Sequence, residues 1–207
     1  MRAAGHAGSL TPGIRLAGGR FSSPFDLWRR VCRGAGVLLL SYEARYAARP
    51  IPAHPGDRTV TLMSNAVEVV RGYVDHDTDA VQAALAGLDA DSRVEVYALL
   101  NGLLHSTISI MELTGRRWRL DELVRHADEV ATAAPPHYEF AITEATRAWA
   151  RGDGSAMRAL SGRDVLGAVH MTAVGVTALG LALWGRAGLL DVLEEFDRIA
   201  GGLVDGA

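Results

Sequence analysis

The sequence predicts an all-α fold, a single multi-helix bundle of six to eight helices. Three observations carry that expectation. From Asn65 onward apolar residues recur at spacings of three and four, the signature of helices with one buried face. Residues that favour helix caps fall at the breaks between these runs. No stretch alternates apolar and polar side chains over the length of a strand, so a sheet is not expected.

Composition agrees. The chain has 207 residues, 49% of them apolar and 22% charged, with a formal net charge of -3. That suits one ordinary domain and excludes a disordered or collagen-like chain. The single cysteine, Cys32, excludes an intramolecular disulfide and a four-cysteine zinc cluster. It reads as a free thiol in a reducing cytosol. All 21 basic residues are Arg, which reflects the codon bias of a GC-rich, bacterial genome rather than a function.

The first fifty residues stand apart. They hold eight Arg against two acidic residues, a local charge of +6. The remainder holds thirteen Arg against twenty-two acidic residues, a local charge of -9. Pro50, Pro52 and Pro55 form a hinge-like stretch ending near Gly56. Residues 1–60 therefore read as an Arg/Gly/Pro-rich arm, either flexible or the product of a start assigned too far upstream, and residues 61–207 as the helical domain. Met63 is the alternative start, with Asn65 and Glu68 placed as a capping box behind it. A basic arm suits an anionic partner. A targeting segment is the other reading, because Arg29, Arg30 and Arg33 precede the apolar run Val37–Leu40. That run is short for a secretory signal and lies far from the N-terminus.

Eight helices follow in order. The first covers about Ala66–Val74. Asp77 caps a second, about Thr78–Leu88. Ser92 and Glu95 form a capping box that opens a long third helix to Leu113 or Thr114, and Gly115 takes the left-handed position after it. Leu120–Ala133 is the fourth, stopped by Pro135 and Pro136. His137–Ala150 is the fifth, Ser155–Leu160 a short sixth, Val165–Trp184 a long seventh and Ala187–Ile199 the eighth. A weak two-fold repeat runs through them. Val67–Leu85 and Thr143–Leu160 each read as an amphipathic helix, an acidic turn and a short helix. Arg71 matches Arg147, Tyr73 matches Trp149 and Asp77 matches Asp153. The spacing does not fit a tetratricopeptide array.

Few residues suggest chemistry. Asp75-His76-Asp77-Thr78-Asp79 resembles a cation loop, but Ala80 and Ala86 stand where an EF-hand needs Gly and an acid. Helix capping explains the same residues, so no metal is expected. The third helix carries Tyr97, Asn101, His105, Ser109 and Glu112 on one stripe, with Ile108 among them. Val96, Leu99, Leu100, Leu103 and Ile110 fill the opposite arc at about 100° per residue. His105 with Glu112 has the composition of a general base and its orienting partner. A water-facing stripe of an amphipathic helix is the plainer reading. Arg116-Arg117-Trp118-Arg119 combines cations with an aromatic ring, as phosphate or base binding needs. The acidic helix after it argues against nucleic acid as a partner, and the Pro-Pro break argues against a helix-turn-helix. His126 and His137 match no zinc-protease, deaminase or triad motif.

The seventh helix is the most distinctive element. Val165–Gly185 has no charged residue, and His170 is its one strongly polar side chain. Its length approaches the roughly 20 residues that span a bilayer. A core helix surrounded by amphipathic neighbours accounts for it better, with His170 buried and hydrogen-bonded.

These features favour a non-catalytic helical interaction or regulatory module, cytoplasmic, forming a homodimer or holding a protein partner. Leu179, Leu183, Leu189, Leu190, Leu193 and Phe196 form the expected interface. A second expectation is a small-molecule-binding or enzymatic domain with a pocket lined by Asn101, His105, Glu112 and His170. A third is a single-span membrane protein anchored by Val165–Gly185. No motif calls for a cofactor.

Overall fold

The computed structural model describes residues 15–16, 19–20, 55–115 and 119–204. The arm residues Arg29, Arg30, Cys32, Arg33 and Val37–Leu40, and Arg116, Arg117 and Trp118, lie outside them. Helix α1 spans Pro55–Asp75, so the chain turns helical at the last proline of the expected hinge. Proline suits a first helical position, where no intrahelical N–H bond is lost and its fixed φ already matches the helix. Asn65 therefore lies inside α1 instead of capping it, and Met63 is buried with Leu62.

Helix α2 is Thr78–Leu85, and Asp77 caps it as expected, its carboxylate accepting from the Ala80 N–H at 2.9 Å. Helix α3 is Ala90–Thr114. Its cap is Asp89, which accepts from the Ser92 N–H at 2.7 Å, so Ser92 and Glu95 fall within the helix and are not a capping box. Gly115 ends α3 at φ 64°, the left-handed geometry that glycine tolerates without strain. Helices α4 (Leu120–Ala131), α5 (Pro136–Ala150) and α6 (Ser155–Arg163) follow.

Helix α7 spans Val165–Val204 and breaks at Gly185, which sits at φ 69° and ψ 176°. That region is open essentially to glycine alone. The break folds the second half back so that Leu189 packs against Gly180, where an added Cβ would meet the Leu189 Cδ1 at 2.6 Å. The expected seventh and eighth helices are the two arms of this bent element.

The described residues thus form seven helices, with one two-residue antiparallel pairing of Arg15–Leu16 and Gly19–Arg20. An all-α bundle results. Helix α7 is its axis and packs on α1, α3, α4, α5 and α6, while α2 leans on α1. Ala168 through Val174 are buried without interruption, which puts every side of α7 against protein for nearly two turns. An uncharged helix requires this, because it has no face that water would solvate. Thr177 bonds its hydroxyl back to the Ala173 carbonyl at 2.9 Å, so it adds no unsatisfied polar atom to that core.

The leucine face expected to meet a partner is consumed here instead. Leu179, Leu183, Leu189, Leu193 and Phe196 are buried in the chain's own core, and Leu190 is half-buried against it. Leu179 and Leu183 face the core from the first arm, and the break at Gly185 folds the second arm back so that Leu189, Leu193 and Phe196 face it too. Arg71 pairs with Glu68 and with Asp197 of α7, and Arg147 pairs with Glu144 and with Asp128 of α4.

Candidate functional site

Two places in this bundle hold side chains that the packing alone does not demand. The first is a polar cluster where α1, α5 and α7 meet. Asp164 precedes α7, and its Oδ1 accepts from the Leu166 N–H at 3.0 Å, an N-cap interaction. Its Oδ2 accepts a short hydrogen bond from the Tyr138 hydroxyl of α5. The Tyr138 ring lies 4.8 Å from the His170 ring, at 36° to it. His170 is 1% exposed, and its Nδ1 is 2.7 Å from the Tyr73 hydroxyl of α1.

Burial sets the proton positions. It pulls the His170 imidazole down to about 4, with repulsion from His137 acting the same way and Asp164 opposing. Burial also raises the Tyr73 phenol well above its ordinary range. Both groups are therefore neutral at pH 7, and the Tyr73 hydroxyl and Nδ1 share a hydrogen bond whose direction the imidazole tautomer sets. The Tyr138 phenol is pushed up to about 12, first by burial and then by its bond to Asp164. The same bond holds the Asp164 carboxyl below the usual carboxylate range. A neutral His, two protonated Tyr and one ionised Asp can pin three helices together.

The second place is the outward face of α3. Val96, Leu99, Leu100, Leu103, Ile110 and Met111 are buried, as the helical wheel requires. His105, Ile108 and Glu112 are exposed, and Tyr97, Asn101, Leu104 and Ser109 are half-buried. No Asp, Glu or Arg occurs from Val96 to Met111. Ile108 within this neutral strip is 38% exposed, and Val94 (38%) and Leu113 (42%) are exposed beyond its two ends. Helix α4 shows the usual alternative, because its outward positions are Asp121, Arg125 and Glu129.

The residues expected to line a pocket are thereby separated. Asn101, His105 and Glu112 lie on the α3 strip, and the Asn101 amide donates to the Tyr97 carbonyl of its own helix at 3.0 Å. His170 lies in the core on α7. No hydrogen bond among the described residues joins it to the other three. Its partners Tyr73, 97 residues away, and Tyr138 carry no sequence signal of their own, since each reads as an ordinary apolar position of an amphipathic helix.

The remaining candidates have structural occupations. Asp75 pairs with Arg186 at 2.6 Å, and Asp77 caps α2. No group of three or more His, Cys, Asp or Glu among the described residues is placed to hold a metal ion. Arg119 is exposed and pairs with Asp121 at 2.7 Å. His126 lies 3.5 Å from Glu129, and His137 is exposed beside the Tyr138 ring. Phe140 on α5 is 74% exposed, a single aromatic flanked by Glu139 and Glu144. Two helical stretches, Ala90–Thr114 and Val165–Arg198, are long and apolar enough to cross a membrane by length and composition. No known protein family, curated protein or solved structure matches the chain.

Proposed function

We propose that this chain is a non-catalytic helical interaction module that docks a protein through the outward face of α3. The neutrality of that face carries the proposal. A helix side that meets only water normally bears charge, which costs nothing there and keeps the surface soluble. Sixteen residues without a charge, half of them outside the core, instead resemble the desolvated centre of an interface, where charged residues are depleted. The small-molecule alternative draws less support, because its four residues divide between a surface strip and a sealed core.

Position-specific photo-cross-linking in the producing cells tests the reading. A photoreactive residue at Ile108 or Val94 is expected to give one shared protein adduct. The same residue at Arg125 on the charged face of α4 gives none. Equal yields at all three positions, or no adduct at Ile108, would overturn the docking assignment.

A further inference from the structure

The bend in α7 gives the chain a second way to arrange the same contacts. We propose that Gly185 is a hinge at which the second arm, residues 186–204, exchanges between two copies of this chain. The bent α7 of the monomer becomes a straight helix in the exchanged dimer. This goes beyond the α3 docking reading and does not rest on it.

The hinge is the first argument. A single residue joins the two arms, with helix on both sides of it. Turning Gly185 from φ 69° and ψ 176° to ordinary helical values, about -63° and -42°, makes one continuous helix of 40 residues. At about 1.5 Å per residue that helix is about 60 Å long, so the second arm stands clear of its own bundle. Gly185 is exposed, and an added Cβ there meets nothing within 4 Å, so nothing crowds the hinge.

What the arm covers identifies the occupant. Leu189, Val192, Leu193 and Phe196 are buried in the core, and Arg71 of α1 pairs with Asp197 at 3.1 Å. Straightening α7 bares the surface opposite these residues, and that surface already fits residues 186–198 of this sequence. A second copy carries the same segment. When two copies exchange arms symmetrically, both regain these contacts and only the corner differs, which makes exchange a low-cost route to a dimer. Asp191, Glu194 and Arg198 on the outward side are exposed and charged, so water solvates the arm while it swings.

The polar ties that hold the arm are weak ones. Asp197 Oδ1 is buried with no hydrogen-bond partner among the described residues. Burial raises that carboxyl above its ordinary range, with the Arg71 charge opposing. Such a partly buried ion pair often holds a contact less firmly than apolar side chains of the same size. The other tie, Arg186 to Asp75, lies at the surface, where ion pairs add little. Opening at Gly185 returns the Asp197 carboxylate to water.

The full chain tests this. Wild type held at hundreds of micromolar and then diluted is expected to give separate monomer and dimer peaks on size exclusion with light scattering. Peaks that exchange slowly are expected because an arm must leave its host before it can close on its own chain. A short bismaleimide on an Arg71→Cys, Asp197→Cys, Cys32→Ser chain should join two chains in the dimer peak and stay within one chain in the monomer peak. Gly185→Ala places a side chain where the bent backbone is open essentially to glycine, while the straight helix accepts it. That variant is expected to move nearly all of the protein into the exchanged dimer with unchanged helical circular dichroism. A wild type that is monomeric at every concentration would overturn the inference. So would a dimer whose links stay within each chain, which is association through another face, or a Gly185→Ala chain that folds as a monomer. Should Gly185→Ala fail to fold, the wild-type peaks and their links decide alone.

Discussion

Helices α3 and α7 are made of similar material and treated differently by the fold. Each contains a long stretch without charge, and each could cross a membrane on length and composition alone. Of the most apolar eighteen residues of α7, 72% are buried inside the bundle, against 44% for α3. Five neighbouring helices close around α7, whereas α1 and α7 cover α3 from one side. An uncharged helix is therefore not a sufficient sign of a core element. Among the described helices, α3 is the one whose apolar composition exceeds its cover.

A single carboxylate placed in each helix would break the comparison most directly. Val174→Asp puts a charge where the wild-type side chain is 1% exposed. The expected loss is more than about 4 kcal/mol, enough to unfold much of a domain of ordinary stability. Ile108→Asp on α3 is expected to cost less than about 0.5 kcal/mol, measured by urea unfolding at dilutions where self-association does not contribute. Similar losses at both positions would mean that α3 is as enclosed as α7, and the docking face would disappear with that result.

The sequence made one half of this contrast legible. The uncharged run of α7, the Asp77 cap, the Gly115 stop and the buried arc of α3 all follow from local rules of period and capping. What escaped depends on contacts between distant segments. Pro55 has the chemistry of a hinge and of a first helical residue, and only the burial of Leu62 and Met63 selects the second. Ser92 with Glu95 fits a capping box, yet Asp89 three residues earlier takes the N–H. The break near Gly185 is legible, but that the second arm folds back onto Gly180 and so buries Leu189 and Leu193 is not. His170 was legible as a buried, bonded histidine, but its partner Tyr73 was not, because nothing local joins residues 97 apart.

Acid should sharpen the contrast, because the one buried histidine among the described residues belongs to α7 and the exposed His105 belongs to α3. The folded state holds His170 near 4, below the ordinary value of 6.5. The unfolded chain therefore binds the extra proton between those values. The contribution of His170 to stability is complete above about pH 6.5 and falls away as pH drops towards 4. Between pH 7 and pH 5 the loss comes to about 2 kcal/mol. Urea unfolding at the two pH values should show it in the wild type and show a much smaller change in His170→Phe. His105→Phe should keep the full wild-type change. A pH dependence that survives in His170→Phe would assign it to other groups.

A smaller loss than that of His170 concerns how the cap of α7 is held, whereas the first turns of α3 are tied to α1 by Arg58 with Glu95. Asp89 caps α3 through one hydrogen bond at the surface. Asp164 caps α7 and is gripped in turn by Tyr138, so the entry of the core helix is tied to α5 as well. Tyr138→Phe removes that grip alone. The ring stays against His170, and Asp164 Oδ1 still accepts from Leu166. The expected cost is about 1 kcal/mol, the usual net value of one hydrogen bond. Because the Tyr138 hydroxyl is the foremost cause of the low Asp164 carboxyl, that carboxyl should titrate at higher pH in the variant. Carbon-detected NMR of the side chain reads this directly. An unmoved Asp164 titration would mean that backbone capping alone holds the carboxylate, and that the Tyr138 grip adds nothing to the start of α7.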